Sequence, residues 1–437
     1  MTSHCRRILP SAAAAAAALA FSGAAQAANV DFSGYVRSGV GTNNKGGDQV
    51  CFGLPGAGSK WRLGNECENY GEFNLATDVF RGSDGSRFRY NIMLGHKSTG
   101  NDGFEPLGDS NVDSARHIAL RQNWIGITGV GGGIMKDTTL WLGKRYYRRH
   151  DVHAMDFFYW NNSGDGVGIE DINAGFGKFH VALMRNNADV ATTSPIAGDL
   201  TTNARGRSSN SLDMRLSNIA VNRGGELEFG LDFRQGDEKD STATKTKNGY
   251  IFNVEHTQSN LWGGFNKLAL QQGVDAGGNL GSFAFTTTGQ KKSRLVEQMV
   301  VQPSRELSVM AAFVYEKTTF DTPGATSPDK WMSIGARPMY QWSEHLGSAV
   351  EVGLDRVKYH NGSTGNLRKV TLVPVVVRAG RGAFSRPELR LFATFANWNA
   401  EANAAAPAGG NLVSGSDFTS STLTSGRTIG VQAEAWW

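Results

Sequence analysis

The last ten residues, Thr428-Ile429-Gly430-Val431-Gln432-Ala433-Glu434-Ala435-Trp436-Trp437, alternate with period two. Ile429, Val431, Ala433, Ala435 and Trp437 make one apolar set, and Thr428, Gly430, Gln432, Glu434 and Trp436 a mostly polar one. This is a strand with one apolar and one polar face. The other end of the chain repeats it: Val30, Phe32, Gly34, Val36 and Val40 share one parity, Asp31, Ser33, Tyr35 and Arg37 the other. Phe73 and Leu75 oppose Tyr70, Glu72 and Asn74; Leu389, Leu391, Ala393 and Phe395 oppose Glu388, Arg390, Phe392 and Thr394. Turn-rich stretches such as Asn43-Asn44-Lys45-Gly46-Gly47 and Asp275-Ala276-Gly277-Gly278-Asn279 separate the strands.

Ahead of the first strand, residues 1–27 read as a secretory signal peptide. Arg6 and Arg7 are its basic region, and Ala12 to Phe21 is an apolar core too short to span a bilayer. Ala25-Gln26-Ala27 is a small-residue cleavage site, so the mature chain is expected over 28–437 as one domain. Export leaves two cysteines, Cys51 and Cys67, and a pair in an oxidising compartment is most simply a disulfide. Closing that loop contributes roughly 3 kcal/mol in the chain-entropy view. Two cysteines 16 apart without a nearby histidine do not make a metal site, and no cofactor is expected.

A soluble sandwich also alternates. Three further features favour a transmembrane antiparallel β-barrel. The strands run from one chain end to the other, export is signalled, and the chain closes on an aromatic residue of the apolar set, where a belt residue meets the membrane interface. Glycine stands at 55 of 437 residues, about twice the usual share, and suits tight turns and strand curvature. At roughly 10 residues per strand plus turns and outer loops, the chain holds 16–18 strands. With 44 Lys+Arg against 40 Asp+Glu, there is no electrostatic case for nucleic acid.

In a large barrel the polar parity faces a water-filled lumen, where large aromatics are out of place. Tyr35, Tyr70 and Trp436 sit on it; by the same alternation Phe265 belongs with Lys267 and Gln271, and Phe384 with Glu388 and Arg390. Any one of them could pack under an inward loop. Several together, interleaved with charges, suit a binding track, since sugar ring faces lie on aromatic surfaces while hydroxyls bond to flanking charges. The densest segment runs from Lys144 to Asn161, with four basic groups, two histidines and two carboxylates among aromatics. The two acids and the near-zero net charge argue against RNA binding, and His150, Asp151 and His153 lack the fixed spacing of a metal-ligand set, so a constriction loop fits best.

The sequence resembles the maltoporins, the LamB family of sugar-specific outer-membrane porins. The matching stretches are Val30-Asp31-Phe32 with Gly34-Tyr35, Arg62-Leu63-Gly64-Asn65-Glu66-Cys67-Glu68 and Arg149-His150-Asp151-Val152-His153. Glu255-His256-Thr257-Gln258-Ser259, Gly264-Phe265-Asn266-Lys267, Ser385-Arg386-Pro387 and Trp436-Trp437 follow in order. The resemblance implies a homotrimer of about 18-stranded barrels in the lipid of a Gram-negative outer membrane, each with an inward-folded constriction loop. Maltodextrin-type oligosaccharides would pass along an aromatic slide of Tyr35, Tyr70, Phe265, Phe384 and Trp436, with Phe104 lent by a neighbouring subunit. The polar track would fall on Arg37, Arg62, Glu72, Arg121, Arg149, Asp151, His153 and Asp156. Phe158 stands where maltoporins carry a constriction tyrosine, Asn161 replaces an acid, and Phe384 a tryptophan. The alternatives are a general diffusion porin or a channel for another oligosaccharide. An enzyme is not expected, because nothing in the sequence fixes a nucleophile beside a base.

Overall fold

The computed structural model describes residues 29–99, 117–187, 208–236, 247–280, 289–406, 413–414 and 422–437. The leader and Phe104 lie outside them. Strands β1 (Val30–Asn43), β2 (Glu68–Arg81), β3 (Arg87–Thr99), β4 (His117–Thr128), β5 (Thr139–Arg145) and β6 (Gly164–Asn173) open the chain. Strands β7 (Lys178–Asn187), β8 (Ser208–Asn222), β9 (Gly225–Arg234), β10 (Gly249–Leu261), β11 (Gly264–Val274) and β12 (Lys291–Val301) continue it. The last six are β13 (Leu307–Thr319), β14 (Pro328–Gln341), β15 (Leu346–Tyr359), β16 (Thr364–Arg378), β17 (Glu388–Trp398) and β18 (Ser425–Trp436). All pair antiparallel with their chain neighbours in one 18-stranded sheet. That sheet closes on itself because β1 pairs with both β2 and β18.

The alternation is inside out, as it must be when lipid replaces water on the outer face. Along β15, Val350, Val352 and Leu354 are exposed at the outer surface while Glu351 and Asp355 are buried. Around the last residue, the Trp437 ring packs against Phe32 at 5.4 Å and Phe73 at 6.4 Å, all three on the outer face. Trp262, Trp342 and Phe176, in or beside short turns, are exposed at the same end of the barrel. Short turns mark the periplasmic end and long connections the outer one.

Two connections from the outer end fold into the barrel rather than over it. Residues 146–163 form the expected constriction loop, with a small hairpin (His150–Val152 and Phe157–Trp160) around a 3-10 turn at His153–Met155. Residues 44–67 form the second, which the sequence reading did not foresee, closed by the Cys51–Cys67 disulfide. Trp61 anchors it. Gly335 and Gly353 are cross-strand partners on β14 and β15, and a Cβ at either would fall 2.4–2.6 Å from the Trp61 indole. The two glycines therefore form a slot in which the indole is fully buried.

Polar contacts complete the seat. The Trp61 Nε1–H donates to Asp355 at 3.2 Å, Leu63 N–H donates to Glu351 at 3.0 Å, and Lys369 Nζ donates to the Lys60 and Trp61 carbonyls. The two inward loops are also joined by backbone bonds, Lys60 N–H to Met155 O at 3.2 Å and Arg62 N–H to Ala154 O at 3.0 Å. Trp61→Ala leaves a cavity in the slot. Denaturant unfolding followed by fluorescence should show a loss of about 3–5 kcal/mol.

Candidate functional site

Closure of the barrel builds the site. Tyr35 on β1 lies opposite Trp436 on one side and Glu72 on the other, and Arg37 lies opposite Glu434 and Tyr70. The register therefore sets two rows of inward side chains across the seam where the chain ends meet. From Tyr70 the rings continue without a break. Tyr70 to Tyr35 is 6.1 Å, Tyr35 to Trp436 6.4 Å, Trp436 to His153 5.7 Å, His153 to Phe384 5.4 Å and Phe384 to Phe265 6.4 Å between centroids. His153 thus bridges the seam to the lower rings, a link that counting aromatics could not reveal. Phe384 departs from its expected place on a strand. It lies in the turn between β16 and β17 and stacks on Phe265 with planes 9° apart.

Charged groups flank this run along a lumenal cavity of about 750 Å³. Of the polar residues expected there, Arg37, Arg62, Glu72, Arg121, Arg149, Asp151, His153 and Asp156 all line it, as do Phe158 and Asn161. They are not equivalent. Arg62 is buried and donates to Glu66 at 3.0 Å, Glu434 at 2.7 Å and the Tyr35 hydroxyl at 2.7 Å. Arg37 pairs with Glu66 at 2.7 Å and with Glu68. These two guanidiniums brace the wall, and few of their donors remain for a solute. Arg121 lies 5.8 Å from the Tyr70 ring centroid, a cation–π distance. Arg149 lies between two rings, 3.6 Å from Tyr146 and 4.6 Å from Phe158.

Glu434 was not singled out in the sequence, yet the site converges on it. It accepts from the Tyr35 hydroxyl at 2.9 Å, Arg62 at 2.7 Å, Arg386 at 2.8 Å and Arg390 at 3.2 Å. Its only sequence signal was a carboxylate on the polar parity two residues from a lumenal tryptophan. Lys60 pairs with Asp156 at 2.7 Å; burial opposes the Asp156 charge, but Lys60 and Arg62 together hold its carboxyl below the usual range. Burial and the Arg62 charge push the His153 imidazole well below its ordinary value, so that link in the run is neutral.

Phe158 is 38% exposed, on the inner face of the constriction loop. Its ring lines the lumenal cavity and donates no hydrogen bond.

Over residues 30–437 the chain matches the model of the LamB porin family. The chain belongs to that family. Among solved structures it resembles the outer-membrane channel DcaP of Acinetobacter baumannii, with TM-score 0.53 and 9% identity over 94% of this chain and 97% of that one. OccAB2 of the same organism gives 0.51 and 9%, covering 94% and 98%. OccK9 (OpdG) of Pseudomonas aeruginosa gives 0.50 and 11%, covering 93% and 98%. Identities this low speak for the fold alone. The family and the closed barrel make the protein a multi-pass β-barrel porin of the outer membrane.

Truncating the ring at the constriction tests its place. Phe158→Ala should raise single-channel conductance in salt solution while leaving thermal stability close to that of the parent. An unchanged conductance would remove Phe158 from the narrowest point.

Proposed function

We propose that this porin is a sugar-specific channel in which maltose and maltodextrins move along the aromatic run by facilitated diffusion. The observation that carries this reading is the continuity of the run. Six rings, His153 included, follow one another at 5.4–6.4 Å from Tyr70 to Phe265. A pore that sorts only by size gains nothing from such a surface, which exposes apolar rings to water. A chain of pyranose rings can rest on it and exchange one contact for the next without leaving the wall.

The flanking groups suit hydroxyls. Arg149 presents donors, and Asp151 and Glu72 present acceptors, to the same cavity. In this reading the chain is exported by the signal peptide at 1–27 and works as a homotrimer, with Phe104 of a neighbouring subunit extending the slide. Nothing in the reading calls for catalysis.

Planar-bilayer recordings with glucose, sucrose and a maltooligosaccharide series test it directly. Longer maltooligosaccharides should block the ion current at lower concentration than glucose, because they engage several rings at once. Equal block by glucose and maltohexaose would leave a general diffusion porin. Stronger block by another oligosaccharide would move the specificity there. Adding the hydroxyl with Phe158→Tyr should tighten maltohexaose block by about 0.5–1.5 kcal/mol, the net worth of one hydrogen bond.

A further inference from the structure

Tyr146 follows β5 at the stem of the constriction loop, and its backbone N–H donates to Gln122 Oε1 on β4 at 3.1 Å. Its side chain reaches further. The hydroxyl donates to Glu72 Oε1 at 2.6 Å, on β2, past two intervening strands. Neighbouring strands lie roughly 4.8 Å apart, so the contact chords about 14 Å of the wall. The Tyr70 hydroxyl donates to the same Glu72 oxygen. Two phenols, one from the slide and one from the loop stem, are thus fastened to a single carboxylate oxygen.

The nearer of the two intervening strands, β3, leaves this path open. Glu72 faces Gly95 on β3, where a Cβ would fall 2.8 Å from Arg121 Nε. Glycine there lets Arg121 lie across β3 toward Tyr70. On its other side the Tyr146 ring carries the Arg149 guanidinium, 3.6 Å from the ring centroid, with Phe158 beyond. One tyrosine therefore connects the slide wall to both constriction residues that face it.

We infer that Tyr146 is a strut that sets the bore of the channel and a further determinant of its solute selectivity, acting as a positioning residue through Glu72. The hydroxyl holds the loop stem at a fixed distance from the slide wall. It also occupies an acceptor site on Glu72, so a solute hydroxyl meets a carboxylate whose position and free lone pairs are already set. A bond from a phenol to a carboxylate is stronger than one between neutral groups, and here the Tyr70, Tyr146 and Glu72 side chains are each partly buried. The selectivity half of this inference rests on the sugar-channel reading; the bore does not.

Single-channel recording separates the two. In salt alone, Tyr146→Phe keeps the ring under Arg149 but removes the strut, and conductance should rise. Glu72→Ala should raise it as well, and the double variant should show no further rise beyond the larger single effect. Only inserted, open channels are counted, so a misfolded fraction does not enter the reading. With maltohexaose present, Tyr146→Phe should weaken block on the order of tenfold, the weight of one hydrogen bond to a charged group. Conductance of Tyr146→Phe equal to that of the parent, or effects of the two substitutions that simply add, would overturn the inference. Absence of maltohexaose block in the parent channel would instead count against the sugar reading and leave the conductance result standing.

Discussion

The register of the closing seam governs this molecule. Side chains in a strand alternate with period two, so a one-residue slip of β18 against β1 would turn Glu434 and Trp436 toward lipid, and a slip of β1 would do the same to Tyr35 and Arg37. The slipped strand would bring Ala435, or Val36, into the lumen instead. The observed register puts Tyr35 against Trp436 and Arg37 against Glu434, which places rings beside rings and opposite charges beside each other. Both outcomes follow from one alignment. The aromatic run and its ionic bracing therefore have a common origin.

That bracing explains how so many charges tolerate low exposure. A guanidinium taken out of water costs several kcal/mol unless its donors are met. Arg62 reaches two carboxylates and a phenol, and Glu434 reaches three arginines and the same phenol, so neither is left with an unmet charge. Arg62 and Glu66 belong to the disulfide-closed loop, Glu434 to the last strand and Tyr35 to the first. The network consequently ties an inward loop to the seam, while Trp61 in its glycine slot ties the same loop to the wall at β14 and β15. A loop held to two separate parts of the wall is a fixed partition, and the constriction loop is hydrogen-bonded to it along the backbone.

Strand alternation was readable because it is local. The parity of Thr428 to Trp437, and of Glu388 to Phe395, predicts which side chains are buried in the barrel and which face outward. Tyr35, Tyr70, Trp436 and Phe265 could be placed in the lumen for the same reason. Phe384 could not, since it lies in a turn and owes its position to Phe265 and His153 rather than to strand period. The inward course of residues 44–67 was equally hidden. It depends on Gly335 and Gly353, nearly 300 residues away, meeting as cross-strand partners beneath Trp61. Tyr146 and Glu434 looked like ordinary members of a polar run until the fold brought their partners to them.

The division of labour among the lumenal cations follows from the same geometry. Arg37 and Arg62 are spent on Glu66, Glu68 and Glu434, and their rigidity serves the wall. Arg149 is held differently. Rings on two sides fix its plane by cation–π attraction, and among the described residues no carboxylate lies within ion-pair distance of it. Aromatic faces do not saturate N–H donors lying in the guanidinium plane, so those donors remain directed at the lumen. A channel must offer contacts that hold a solute briefly and then let it go. A cation oriented by rings, with its donors open to water, meets that requirement better than one locked into a buried salt bridge.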